Sequence, residues 1–193
     1  MMKKRLTSLA LSAMMVLSMV PATAFAAKDA GTPPTYNSAT GCYEISTPAQ
    51  LLYLAGKWKD GAPRDGHYVL TADIDMTGVK GFKPIASKKD QGFTGTFDGQ
   101  FHSIKGLRVE YEKKYAGLFG YVGNQDDQAY IKNVALLDCY VTGQQNVGAL
   151  AGVNYGTITD CVVTGEVKCL DLSNSHTAGG ICGKLKEGEG PIV

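Results

Sequence analysis

The hydrophobic and polar positions of this chain fall into three regimes. From Leu6 to Val20 apolar residues run almost unbroken, diluted by Thr7, Ser8, Ser12 and Ser18. Around 47–58 they recur at helical spacing, through Leu51, Leu52, Leu54, Ala55 and Trp58. Thr47 suits an N-cap, Pro48 the first helical position and Gln50 the N3 partner of a capping box, and Gly61 can end the helix. Elsewhere the pattern is that of short strands. Cys42–Ile45 alternates, as does His67–Leu70, which leads into Ala72–Met76; Phe82–Ile85 is a further extended piece. Phe93–Phe97 and Gln100–Ile104 flank Asp98-Gly99, a pairing that predicts a hairpin with a type I′ turn.

From Ile104 onward the pattern repeats. Ile104-Lys-Gly-Leu107-Arg-Val109 returns as Ile131-Lys-Asn-Val134-Ala-Leu136 and again as Ile158-Thr-Asp-Cys161-Val-Val163, 27 residues apart each time. A second block, Ala116-Gly-Leu-Phe-Gly120, returns at 147–152 and 178–183, with starts 31 apart. A competing register of 22 aligns Asp138-Cys139 with Asp160-Cys161, and sequence leaves the choice open. Short β-rich blocks at a near-constant period, each closed by glycines, predict a β-solenoid, because one coil cannot bury its own apolar face. The 27-residue register would put Ile104, Ile131 and Ile158 in one interior column, with glycines at the corners.

The block Gly117-Leu-Phe-Gly120 and its variants at 148–152 and 179–183 resemble the GLUG-motif repeats of bacterial secreted and surface proteins. Upstream, Tyr43–Leu51, Leu70–Met76, Pro84-Ile85 and Phe93–Gly99 are similar to the region that precedes those repeats. The resemblance implies an all-β, right-handed parallel β-helix (solenoid) with a short N-terminal capping helix. It also implies kinship with adhesin-like proteins and with the N-terminal region of IgA-cleaving metallopeptidases. The second and third glycine blocks carry one extra residue.

Composition separates the chain into two polymers. Lys3, Lys4 and Arg5 precede the first apolar run, Pro21 breaks it, and Ala24-Phe25-Ala26 offers small residues to a signal peptidase. Residues 1–26 therefore read as a secretory signal rather than an anchor, since a bilayer span needs about 20 apolar residues. The precursor's formal charge is +1; without the signal's three basic residues, 16 Lys+Arg face 18 Asp+Glu, a net −2. That balance excludes a nucleic-acid binder, and no later run suits a membrane span. All 24 Gly fall after residue 26. The expected organisation is a signal at 1–26, a flexible leader at 27–41, and a cap region at 42–103 holding the helix and the hairpin. About three coils follow at 104–183, and a tail at 184–193 reads as the truncated edge of a longer protein.

Candidate chemistry is sparse. His67, His102 and His176 are far apart and form no His-Glu-x-x-His, so no metal or cofactor is expected. Asp73, Asp75, Asp98, Asp138 and Asp160 are the carboxylates a polysaccharide-cleaving β-helix would have to use. Turn capping explains Asp73, Asp75 and Asp98 more simply, and Asp138 and Asp160 suit exposed corners. Cys42, Cys139, Cys161, Cys169 and Cys182 are an odd set, readable as free buried thiols or as disulfides with one left over. Tyr121, Tyr140 and Tyr155 lie near loops and are the binding candidates, for a surface glycan or a host or matrix protein. The expectation is a non-catalytic module of a secreted or cell-surface bacterial protein, a scaffold or adhesive surface. The alternatives are a polysaccharide-cleaving enzyme or the non-catalytic N-terminal part of a surface metallopeptidase. With no cap legible after Gly183, end-to-end self-association or missing C-terminal domains are expected.

Overall fold

The computed structural model describes residues 31–56, 63–171 and 177–186. The signal at 1–26, Trp58, Gly61 and His176 lie outside these residues. Strand β1 (Thr35–Asn37) turns back on β2 (Cys42–Ile45) in antiparallel pairing, with the Asn37 amide donating to Glu44 Oε1 at 2.7 Å. Thr35–Asn37 fall in the stretch read as a leader and are instead an edge strand of the first sheet. Helix α1 (Pro48–Gly56) follows. Its cap forms as expected on one side: the Gln50 N–H donates to Thr47 Oγ1 at 3.3 Å. The reciprocal bond lies one residue earlier, where the Ser46 N–H donates to Gln50 Oε1 at 2.8 Å. Leu51 and Leu54 enter the core.

Beyond α1 the chain winds as a parallel β-helix of about four turns. The first circuit holds β3 (His67–Leu70), β4 (Ile74–Asp75) and the extended segment through Ile85. The second holds β5 (Thr96–Asp98), β6 (Ser103–Lys105), β7 (Arg108–Ala116) and β8 (Phe119–Val122). The third holds β9 (Tyr130–Lys132), β10 (Ala135–Gly148) and β11 (Ala151–Asn154). The fourth holds β12 (Thr157–Thr159), β13 (Val162–Cys169), β14 (Ala178–Gly179) and β15 (Cys182–Leu185). One face stacks β2, β3, β5, β9 and β12; a second stacks β4, β6, β10 and β13, with β7 also on β10; a third stacks β8, β11 and β15. The winding therefore begins within residues 42–103 and not at Ile104, and β15 runs into the stretch read as a tail.

The expected hairpin does not form. β5 pairs in parallel with β3 and β9, while β6 pairs in parallel with β4 and β10. Asp98-Gly99 is a corner between two faces, with Gln100 (φ 48) and Phe101 (φ 64) in the left-handed region. Four residues make this corner, against two (Asn133-Val134) between β9 and β10.

That insertion also shifts the repeat. Ile131 stacks on Ile158, so the 27-residue register holds there, but Ile104 stacks on Leu136 of the next face over. The interior columns are Tyr43–Tyr68–Phe97–Ile131–Ile158 and Ile74–Ile104–Leu136–Val163. The predicted Ile104–Ile131–Ile158 column is thus corrected. The 22-residue register is not used, since Cys139 faces Gly165 across the β10–β13 ladder. The second block keeps its period, Ala116 stacking on Val147 and Val147 on Ala178. Rungs ~4.8 Å apart remove the inward side chains that have a circuit on both sides from water, contributing ~1.5–3 kcal/mol per fully buried Ile, Leu or Phe. Aromatic rings reinforce the first two circuits: Tyr43 stacks on Tyr68 at 5.1 Å, and Phe119 lies 5.1 Å from Phe93 and 5.4 Å from Phe97. Several corners use αL residues other than glycine, including Asn133, Asp138, Asn146 and Asp160.

Candidate functional site

Three of the five candidate carboxylates, those of Asp73, Asp75 and Asp98, are spent on backbone. Asp73 Oδ1 accepts the Ser103 N–H at 2.7 Å and lies 3.5 Å from His102 Nδ1. Asp75 caps the turn to Thr77, accepting its N–H at 2.9 Å. Asp98 Oδ1 accepts both the Gln100 N–H and the Asn133 amide at 2.9 Å, and Lys132 Nζ stands 3.3 Å from its other oxygen. Asp138 and Asp160 are αL corner residues, but they are not stacked partners. The Asp138 N–H donates to Thr164 Oγ1 at 2.9 Å, and Asp160 Oδ2 accepts the Thr159 hydroxyl at 2.9 Å.

The electrostatics run against acid catalysis. Bonds from Ser103 hold the Asp73 carboxyl below the usual range, and bonds from Thr77 do the same for Asp75. At Asp98 burial opposes ionisation, yet Asn133, the Gln100 N–H and Lys132 outweigh it and the pKa falls. A general acid needs the opposite shift. Among the described residues no three His, Cys, Asp or Glu side chains gather in a way that could hold a metal ion.

The three tyrosines differ in what they can offer. Tyr121 is only 4% exposed, its ring packed edge-on to Tyr115 at 4.5 Å. Burial, and then Tyr115 beside it, push its hydroxyl well above the ordinary value. Tyr140 sits on the outward side of β10 with the Arg108 guanidinium 4.3 Å from its ring centre and Lys168 Nζ at 5.5 Å. Both cations are tethered by carboxylates, Arg108 to Glu110 at 2.8 Å and Lys168 to Glu166 at 2.7 Å. The Tyr140 ring is thus part of a charged ladder across three circuits, already engaged in cation–π contact. Tyr155 is half-buried beside Tyr121 and is the ring left most available of the three. Sequence reasoning missed Arg108 and Lys168 because Arg108 faces Tyr140 at a spacing of 32, outside the 27-residue pattern. Tyr115 had a signal, being five residues ahead of Gly120 on the edge of the glycine block.

All five cysteines are free thiols. Cys139 is buried and the others half-buried; burial raises the thiol pKa of Cys139, Cys161 and Cys182, the last to about 11.

Residues 143–168 match the GLUG motif. This chain carries that motif as one full circuit. It leaves the end of β10, rounds β11 and β12 and closes on β13, where Lys168 lies beside Thr142 and Cys169 beside Gly143. The GLUG match includes the glycine block at 147–152; the similar blocks at 116–120 and 178–183 lie outside it. The chain is 32% identical over 151 residues, 73% of its length, to halomucin of Haloquadratum walsbyi, and 33% identical over 130 residues, 63% of its length, to a candidate Gly-rich membrane protein of Evansella cellulosilytica. These alignments span only 2% and 14% of the two relatives. The structure of a candidate immunoglobulin A1 protease from Bacteroides ovatus overlaps 84% of this chain and 65% of its own, at 18% identity and a TM-score of 0.46. No helix among the described residues is long and apolar enough to cross a membrane.

Proposed function

We propose that this chain is a non-catalytic β-helical module of a secreted or cell-surface protein, presenting its outer face as a scaffold or adhesive surface. The observation that carries the reading is the use of the exterior carboxylates. Asp73, Asp75 and Asp98, the strongest acid candidates, each accept backbone N–H groups at corners and are held ionised. The likeness to halomucin and to a candidate membrane protein supports a surface location, and the GLUG circuit supports a repeat scaffold. A glycan or a host or matrix protein is the ligand class, with Tyr155 as the ring best placed to stack on it.

Two assays test this. On a glycan array and on immobilised matrix proteins, the folded chain binds, and Tyr155→Ala weakens binding by several-fold. On a polysaccharide panel it releases no reducing ends. Release that falls in Asp73→Asn or Asp75→Asn would convert the reading to that of a polysaccharide-cleaving enzyme.

A further inference from the structure

The two ends of the solenoid are unequal. At the N-terminal end, Ile45, Leu51, Leu54 and Tyr68 are at most 1% exposed, closed over by α1 and the β1–β2 pair. On the fourth circuit the inward residues Val163, Val167, Cys169 and Ile181 are only half-buried. Val162, Leu170 and Leu185 are 57%, 55% and 55% exposed, half of the large exposed hydrophobics among the described residues. A cavity of about 400 Å³ opens there, lined by Val163, Val167, Ile181 and the glycines 165, 179 and 180. Among the described residues β13 has a ladder partner only on its β10 side. On the other edge of this eight-residue strand alternate residues, Val163, Gly165, Val167 and Cys169, thus turn N–H and C=O groups away from β10 with no ladder partner among the described residues, beside apolar surface, an arrangement that invites another strand.

The charges on β13 say which strand fits. Its outward side chains include Glu166 and Lys168, flanking inward Val167. A second copy of β13 running antiparallel, with Val167 facing Val167 on a two-fold axis, sets each Glu166 opposite the other copy's Lys168. It also sets Cys169 opposite Gly165, where no side chain intrudes. Sliding the copy to the adjacent registers that keep inward residues inward places Glu166 on Glu166 or Lys168 on Lys168, which cross-strand repulsion disfavours. The edge is therefore complementary to itself in one register, as an isologous contact requires. We infer that the chain forms a two-fold dimer, C-terminal end to C-terminal end, by antiparallel pairing of β13 with β13 of a second copy, so that the apolar mouths of the two solenoids cover one another. Such a dimer would present two outward surfaces at opposite ends of one rod.

Light scattering coupled to size exclusion, at tens of micromolar, tests this on the whole chain. The expected result is a dimer. Glu166→Lys or Lys168→Glu turns two attractive pairs into two repulsive ones and weakens dimerisation by about 30-fold. Both side chains are exposed, so circular dichroism should show each variant folded. The double variant E166K/K168E restores the dimer, and an equimolar mixture of the two single variants forms a heterodimer. A wild-type monomer would overturn the inference, as would open-ended oligomers, which mark head-to-tail stacking. So would a double variant that stays as weak as the singles.

Discussion

The column containing Ile104 offers the sharpest energetic test, because sequence spacing and three-dimensional register assign it different neighbours. In the structure Ile104 sits directly over Leu136, and both are 0% exposed. Leu136→Ala should cost ~3 kcal/mol, within the range for a buried leucine, and Ile104→Val ~1 kcal/mol. Their sum stays below the stability of a typical domain, so the double variant remains measurable. The methyl removed from Ile104 loses its contacts to Leu136. Once Leu136 is Ala, that methyl already borders a cavity, and removing it costs less. The coupling energy should reach at least ~0.5 kcal/mol, as for residues in direct contact. Ile158 lies two rungs away on another face, roughly 10 Å along the axis, so Ile104→Val and Ile158→Val should add within ~0.3–0.5 kcal/mol. Urea unfolding followed by far-ultraviolet circular dichroism supplies the free energies, with the denaturant slope checked for constancy across variants. If Ile104→Val costs the same with and without Leu136, to within ~0.3 kcal/mol, the stacking described for these two faces is wrong.

Deleting Gln100 and Phe101 shortens the long corner to the length used between β9 and β10. It removes two strained αL residues, at ~1 kcal/mol or more each, along with the hydrogen bonds their N–H groups donate to the Asp98 carboxylate and the Asn133 carbonyl, at ~1–2 kcal/mol each, so the melting temperature should move by only a few degrees. Acid should destabilise the fold through its corners: Asp75 and Asp98 titrate below their unfolded value of ~4. Stability is therefore full above about pH 4 and is lost as pH falls through the folded values, and Asp98→Asn should flatten part of that slope in pH-dependent urea melts. In a variant retaining Cys182 as its sole cysteine, a thiol pKa of about 11 leaves ~0.1% thiolate at pH 8. Ellman's reagent should then react at least ~10-fold more slowly with the native than with the unfolded chain, the lost thiolate outweighing the greater nucleophilicity of the more basic sulfur.

The repeat made the solenoid legible before any coordinates, because stacking forces like residues onto like positions. The glycine blocks at 116, 147 and 178 are in three-dimensional register at the spacing their sequence shows. Helix α1 was legible through local chemistry, since Thr47 and Gln50 declare a start whatever the chain does later. The Asp98 corner was misread for the converse reason. Asp-Gly signals a tight turn but not whether the strands beyond it pair with each other or with circuits above and below. Every inward position from β3 to β6 fits either arrangement, and only long-range pairing decides between them. The first circuit and the start of the second were not read as coils because Tyr68 and Phe97 stand where later ones use Ile131 and Ile158, so apolar bulk persists along the column while residue type does not.

The candidate site was less legible because it lies on the side of the sheet that stacking does not constrain. An inward residue has one answer, apolar and of fitting size; an outward one needs only to be compatible with its rung neighbours. Tyr140 illustrates the consequence. As a lone tyrosine in sequence it reads as a free stacking platform, yet its neighbours one rung either way supply Arg108 and Lys168 to its ring. Phe101 gives the opposite case. It stands in the two-residue excess of its corner, in a left-handed conformation, 82% exposed, where no rung partner dictates a large apolar side chain. In a scaffold whose core is set by repetition, features particular to this chain should therefore be sought where repetition fails. Here those places are the long corner at Phe101, the charged ladder through Tyr140, and the edge of β13.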